Sequence, residues 1–458
     1  MAIDAINLSV AGLDVTKARI ETLTRNITNA QTAGYIKKTD SQVVGALGQV
    51  DQGPVLRNVD EFLMKSLRSS TGTQNQLQTT VTLLSQLEAA FGTPSANSSL
   101  SAQITNLQNA FQDLSVNPEQ GSLYNSVLDA ANGVTRTLHQ LTQTVASVGA
   151  DAQTQLQLSV STVNQTLSAL DSVNKQIVAH SGHDDITDLQ DQRDRLLSTL
   201  SGLMDITTFS KPNGAIAVYS ADGKPLVDTV VATVGLGASG LTWSSPNSAS
   251  SPITVHSGTI GGLLGLRLTS LPAVQAQLDD IARALTVEFN AINVPIFYEP
   301  SVMPFNPANV AGYAGSIAVN PTATASVIHD GAVPATNLVS GPALATGDTT
   351  FIDSAIALFN RTNVAFTAAG LPATGNIAQV ATNFIASQSA MRASVDDQLS
   401  SEKTLQQALQ SRLSSESGVN VDDEVAQLTV LQNAYSANAH VLTVAKDMYT
   451  TLFNAVNV

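Results

Sequence analysis

Three short stretches of the chain hold residue types that could do chemistry. Gly235-Leu236-Gly237-Ala238-Ser239-Gly240 matches the glycine pattern of a dinucleotide-binding loop, and Val230–Val234 before it has the composition of a strand. Such a loop needs a helix directly after it, to present free N–H groups to a pyrophosphate. Leu241-Thr242-Trp243-Ser244-Ser245-Pro246 follows instead, which is no helix start, so the pattern reads as the turn of a hairpin. His180, His183, Asp184 and Asp185 crowd together and offer nitrogen and oxygen donors to zinc or a harder ion. No further cluster completes a coordination shell, and a solvated loop is the simpler reading. Asp422-Asp423-Glu424 could hold a metal or do acid–base work, but negative charge at the positive end of a helix accounts for it. The six histidines form no Ser/His/Asp arrangement, and Walker A, HExxH and GxSxG are absent. These residues point away from an enzyme, with no cofactor and no metal expected. The competing reading is a secreted metal-binding protein or enzyme built on His180, His183 and Asp184.

Composition agrees with a structural role. Hydrophobic residues make up 43% of the 458, enough to exclude disorder, while charged residues reach only 12% and aromatics 4%. Gln, Asn, Ser, Thr and Ala fill the difference. Uncharged polar faces can pack against other subunits without stranding a buried charge. The net charge of −15 lacks the basic stripe that nucleic acid requires, and it disfavours an anionic membrane surface. Cysteine is absent, which excludes disulfides and thiolate chemistry. The first residues, Met1-Ala2-Ile3-Asp4-Ala5-Ile6-Asn7, lack a basic n-region, so no conventional signal peptide is expected. No stretch approaches the roughly 20 apolar residues of a membrane span.

Helical periodicity dominates both halves of the chain. Residues 3–30 read as one helix, stopped at Gly34. Residues 36–62 read as extended, with a turn at Gly53-Pro54. Helix resumes near Val59 and breaks at Gly92-Thr93-Pro94. A very long helix runs from Asn117-Pro118-Glu119 to about residue 180, and another occupies 186–204, where Asp191 and Arg195 are spaced for an i,i+4 pair. Strands fill 206–257. Helices follow over 259–294, 351–361 and 375–415, and Asn420 caps the last one. The expected fold is mainly α: an elongated bundle of long helices from both halves, with terminal coiled-coil helices and a small β-rich insert. Residues 1–65 and 417–458 form the two halves of a terminal core, and 66–205 and 351–416 the two parts of the long-helix bundle. Residues 206–257 form the β region, and 258–350 a helix followed by a Pro/Gly/Ala-rich segment with short strands.

The two ends carry the strongest pattern. Ile3, Ile6, Val10, Leu13, Ile20 and Ile27 fall on a/d positions of a heptad, as do Val421, Val425, Leu428, Tyr435, Ala439, Leu442, Tyr449 and Phe453. Neither narrow apolar seam can be buried alone. The simplest partner for one terminus is the other, and the same helices of neighbouring subunits are the next. Gln432 and Lys446 interrupt the second seam, where polar residues fix register.

Two motifs at these ends give a resemblance. Asn26-Ile27-Thr28-Asn29-Ala30-Gln31-Thr32-Ala33-Gly34-Tyr35 resembles the N-terminal signature of flagellar axial proteins of the rod, hook and hook-associated class. Ser417-Gly418-Val419-Asn420-Val421-Asp422-Asp423-Glu424-Val425-Ala426-Gln427-Leu428, with Gln432-Asn433-Ala434-Tyr435-Ser436-Ala437-Asn438-Ala439, is similar to their C-terminal signature. Within that class the body resembles the hook-associated FlgK family. Asp185–Val227, Ser257-Gly258-Thr259-Ile260-Gly261-Gly262-Leu263-Leu264-Gly265 and Ser316-Ile317-Ala318-Val319-Asn320-Pro321 carry that likeness. Arg25 and Ile36-Lys37-Lys38 depart from the usual pattern.

The resemblance implies a structural subunit that leaves the cell through the flagellar type III apparatus without a cleaved signal. It implies a ring at the hook–filament junction, built by self-assembly of the terminal helices within the axial tube. Hook protein, a second junction protein and an export chaperone of the FlgN type, held at the C-terminal helix, are the implied partners. A hook or distal-rod protein is the alternative within the class. The interface residues expected are Ile6, Val10, Leu13, Ile20 and Ile27, opposite Val425, Leu428, Tyr435, Leu442, Tyr449 and Phe453. Asn26, Asn29, Gly34 and Tyr35 shape the turn after the first helix.

Overall fold

The structure is a computed structural model that describes residues 2–32, 34–45, 50–93, 96–182, 185–246, 248–300, 308, 310–333 and 339–456. It is mainly α, with long helices from both halves and several small antiparallel sheets. Two compact units divide the chain: residues 1–75, 159–259 and 401–458 form one, and 76–158 with 260–400 the other.

The first unit begins with α1 (Ala2–Asn29) and a hairpin of β1 (Lys38–Val44) and β2 (Val50–Arg57). Gly53-Pro54, expected as a turn, lies inside β2 instead. Its pairing slips between Asp40 and Gln42 of β1, and Ser41 Oγ donates to the Pro54 carbonyl at 2.7 Å. A proline lacks an N–H, so a bulge accommodates it within a ladder. The unit also holds the start of α2 (Glu61–Phe91), the end of α4 (Gly121–His180), all of α5 (Thr187–Leu203), the end of α10 (Ile377–Ser417) and α11 (Val421–Val456).

Two three-stranded sheets rest on α4. One is β3 (Ile206–Ser210), β4 (Ile216–Ser220) and β5 (Pro225–Val227); the other is β6 (Thr233–Gly237), β7 (Gly240–Ser245) and β8 (Ser248–Ile253). Val160, Val163, Leu167, Leu170, Val173 and Ile177 of α4 are buried beside Val218, Leu226, Val234 and Leu241 of the sheets. Their spacing keeps one apolar stripe on a long helix. Two asparagines fix the sheets to that helix. The Asn164 amide exchanges hydrogen bonds with Val234 N and O at 2.9 and 2.8 Å, and Asn174 does the same with Ile216 at 3.1 and 2.8 Å. Each side-chain amide supplies one donor and one acceptor, as a neighbouring strand would. The GxGxxG stretch is the β6–β7 turn, where Gly237 pairs with Gly240 across Ala238-Ser239.

Gly258, at the start of α6 (Gly258–Gly265), has φ +76°, and a Cβ there would lie 2.3 Å from the Leu203 carbonyl carbon. Only glycine fits so close a backbone approach.

The second unit packs α3 (Leu100–Val116), α7 (Leu271–Ala291), α8 (Ala325–Asp330), α9 (Thr350–Phe359) and parts of α2, α4 and α10. Phe111, Phe289 and Phe359 meet with ring centroids 5.8–6.3 Å apart, and Phe297 joins them at 5.4 Å from Phe289. Aromatic clusters of this kind bury large apolar areas with defined ring geometry. Asp279 accepts backbone bonds from Gly312 and Ala314 at 2.8 Å each, which ties the irregular 310–316 segment to α7.

Candidate functional site

The terminal helices α1 and α11 pair with each other in antiparallel fashion. A Cβ at Gly12 would lie 3.2 Å from the Asn438 amide nitrogen, and Asn26 Nδ2 donates to Glu424 Oε2 at 2.8 Å. Both points of contact lie fourteen residues apart on each helix, two heptads of a 3.5-residue repeat.

The strip that α1 buries is displaced by one residue from the expected seam. Ser9, Val15, Thr16, Thr22, Leu23 and Asn26 are buried on α1, and Glu424, Leu431 and Ala445 on α11. Of the expected positions, Ile6, Leu13, Ile20, Ile27, Leu428 and Leu442 are half-buried at its flanks. Val10, Val425, Tyr435, Tyr449 and Phe453 are exposed, Phe453 by 59%. Small and polar residues in the strip let the two helices approach closely at those points, and several of the large apolar residues beside it stay exposed. The side chain of Ile3 lies outside the described residues.

Residues of the N-terminal motif do more than shape a turn. Asn26 is completely buried. Its Nδ2 also donates to the Lys38 carbonyl at 2.9 Å, while its Oδ1 accepts from Lys38 N at 3.1 Å and from the Tyr35 hydroxyl at 2.9 Å. One side chain therefore joins α1, β1 and α11, with all four of its bonds satisfied. Burial pushes the Tyr35 phenol well above its ordinary range. Asn29 Nδ2 donates to the Arg25 carbonyl at 3.0 Å and closes the end of α1. Gly34, with φ +76°, leaves 2.9 Å between an added Cβ and Arg195 Cγ, so the turn has no room for a side chain.

Arg25, Lys37, Lys38 and Arg57 carry positive charge into this knot. Lys37 Nζ lies 2.7 Å from Glu424 Oε1, and its backbone N donates to Ser417 O at 2.9 Å. Lys38 is buried, bonds Asp188, lies 3.6 Å from Asp191 and stands over the Tyr35 ring at 4.9 Å. Arg25 Nη1 holds Asp185 at 2.8 Å. Arg57 completes the chain of ion pairs, 2.8 Å from Asp191 and 2.6 Å from Asp194. Asp191 thus pairs across elements with Lys38 and Arg57, and not with Arg195 as its spacing suggested. Burial raises the Asp191 carboxyl despite the opposing charges of Arg57 and Lys38. Asp185 is held below the usual carboxylate range: burial opposes this, but Thr187 donates two hydrogen bonds and Arg25 adds its charge.

Helix-end charge explains only part of Asp422-Asp423-Glu424. Asn420 caps α11 by accepting from Asp422 N at 3.1 Å, and Asp422 and Asp423 are exposed in the first turn. Glu424 is instead wholly buried and bonded to Asn26 and Lys37. Sequence reasoning missed Glu424, Lys37, Lys38, Asp188 and Arg57 as parts of the site. The one available signal was the adjacent Lys37-Lys38 pair, in a chain with few charges.

The histidine cluster offers little for a metal. His180 ends α4, exposed, and His183 and Asp184 lie outside the described residues. Asp185 is already engaged by Arg25 and Thr187. Among the described residues no group of three or more His, Cys, Asp or Glu could hold a metal ion. Among them, too, no helix is long and apolar enough to cross a membrane.

The chain is similar to several known proteins. Residues 84–294 match the family model of the flagellar hook-associated protein FlgK helical domain, and residues 409–455 match that of the flagellar basal body rod FlgEFG protein C-terminal region. Flagellar hook-associated protein 1 of Bacillus subtilis (strain 168) is 27% identical over 46% of this chain and 45% of its own length. The protein of the same name from Salmonella typhimurium (strain LT2) is 25% identical over 62% of this chain and 56% of its own. The chain spans about half the length of the curated relatives it matches. A solved flagellar hook junction protein FlgK from Burkholderia pseudomallei aligns with a TM-score of 0.47 at 24% identity, covering 51% of this chain and 46% of that one.

Proposed function

We propose that this chain, which belongs to the FlgK family of flagellar hook-associated proteins, is a structural subunit that self-assembles at the hook–filament junction. It does no chemistry there. Its activity is the burial of a surface that the isolated subunit leaves in water.

The exposed apolar face of α11 supports this reading most directly. Val425, Val430, Tyr435, Val441, Val444, Met448, Tyr449, Leu452 and Phe453 are all more than two-fifths exposed. Between Glu424 and Lys446 the helix carries no acidic or basic residue other than His440. A helix that is apolar or neutral on every face belongs in an interior, and a subunit with only α1 to cover it lacks one. Copies of the same paired helices, packed side by side in an axial tube, supply that interior. Hook protein on one side and a second junction protein on the other are the neighbours this reading requires. Before assembly the same face suits an export chaperone of the FlgN type, because exposed apolar residues on a helix are anchors for a hydrophobic groove. Export through the flagellar type III apparatus follows from the same reading.

Tyr449→Asp with Phe453→Asp tests it. Both side chains are exposed, so the subunit should fold and be secreted as before. Cells with this variant as their only copy should make hooks, secrete filament protein without attaching it, and fail to swim. Normal filaments on such cells would refute the proposal.

A further inference from the structure

The first unit contains a cleft of about 500 Å³ away from the α1–α11 pair, between the start of α2, α5 and the strands β3 and β4. Arg57, Lys65, Arg68 and Arg193 line it, with Glu61 and Asp194 as its acids. Asp194 is committed to Arg57 at 2.6 Å. Arg193 is buried, and its Nη1 donates to the Gly214 carbonyl at 2.8 Å, but its Nε has no hydrogen-bond partner. Arg68 makes no ion pair or hydrogen bond among the described residues. Burial pushes both the Arg68 and the Arg193 guanidinium down, against the pull of Asp194 and Glu61, and the cations of the cleft repel one another at Arg193. Buried donors without acceptors are costly, and guanidinium groups that converge on a cavity form a fork for planar oxyanions.

We propose that this cleft is an oxyanion site that receives a carboxylate side chain from a second copy of this chain. Charge complementarity selects the occupant. The chain has 36 Asp and Glu against 21 Lys and Arg, so a second copy brings an excess of carboxylates to a cleft with an excess of cations. The inference rests on the self-assembly proposed above, and deepens it by naming a polar contact beside the apolar ones.

Two measurements decide it. Arg68→Gln and Arg68→Glu remove the guanidinium that holds nothing else, so circular dichroism should match the wild type. In cells lacking another copy, secretion of Arg68→Glu should be normal, but the amount retained on isolated hooks should fall at least tenfold, with Arg68→Gln intermediate. With purified protein at constant ionic strength, inorganic phosphate as probe should raise the melting temperature of the wild type and leave Arg68→Gln unmoved. A phosphate response with normal retention of Arg68→Glu would make the occupant a free oxyanion and overturn the second-copy assignment. Absence of a phosphate response overturns the site whatever the retention. A wild-type chain that is itself not retained on hooks refutes the self-assembly reading, a failure distinct from that of the cleft.

Discussion

Glu424→Ala should open the pairing of α1 with α11. The wild-type carboxylate is wholly buried, accepts from Asn26 at 2.8 Å and lies 2.7 Å from Lys37. Removing one partner of a buried ion pair costs about 3–5 kcal/mol. Lys37 keeps 27% side-chain exposure and can rehydrate, and Asn26 still donates to Lys38 O, so the low end of about 3 kcal/mol applies. Glu424→Gln keeps the shape and an acceptor for Asn26 but loses the charge, for a cost of about 1–2 kcal/mol. Since 1.4 kcal/mol is a factor of ten, amide exchange should speed up about 100-fold for the alanine variant and about 10-fold for the glutamine variant. Hydrogen exchange read by mass spectrometry over peptides near 16–29 and 421–435 measures this directly, with peptides of the second unit as the unchanged control. Exchange within about threefold of wild type for Glu424→Ala would refute the reasoning, as would a glutamine variant that exchanges faster than the alanine one.

Three further outcomes are expected. Asn174→Ala strands the N–H and C=O of Ile216 and should cost about 1–3 kcal/mol in denaturant unfolding; Asn164→Ala should cost as much at Val234, and the two should add. Gly34→Ala should cost about 1–2 kcal/mol from its left-handed backbone alone, and Arg195→Ala in the same chain should relieve only the added steric part. Because the folded-state pKa of Asp185 is depressed below 3.8, its stabilisation is complete above pH 3.8 and is lost as pH falls through the lower folded value. Asp185→Asn should therefore lower the melting temperature near neutrality, and the difference from wild type should shrink to nothing in that acid window.

Sequence pattern revealed elements well wherever one physical signal acted alone. The apolar stripe of α4 runs unbroken to His180, and neither Gly133 nor Gly149 interrupts it. Asn420 is the cap its position suggested. The glycines at 235–240 form a hairpin because no helix follows to make them a phosphate loop. Reading failed where two signals overlapped. Hydrophobic periodicity gives no weight to Ser9, Thr16, Thr22 and Asn26, so it placed the α1 seam on the apolar side chains beside them and passed over Val15 and Leu23. Helix-end charge was a sufficient reason for Glu424, and it hid a buried hydrogen bond to a residue near the other end of the chain. Asp191 had a local partner by spacing, yet its burial let Lys38 and Arg57 compete for it with shorter, less solvated contacts.

The bond between Asn26 and Glu424 spans 398 positions of sequence. Closing so long a loop in a free chain costs about 5 kcal/mol of entropy, before any contact repays it. Contacts of low sequence separation form first, so the hairpins and the helices between the two ends fold ahead of this knot and shorten the loop that remains. Contact order therefore predicts that the two ends join last, which pulsed hydrogen exchange during refolding would check. Arrival of the final helix completes a buried asparagine, whose fourth hydrogen bond exists only when Glu424 is in place.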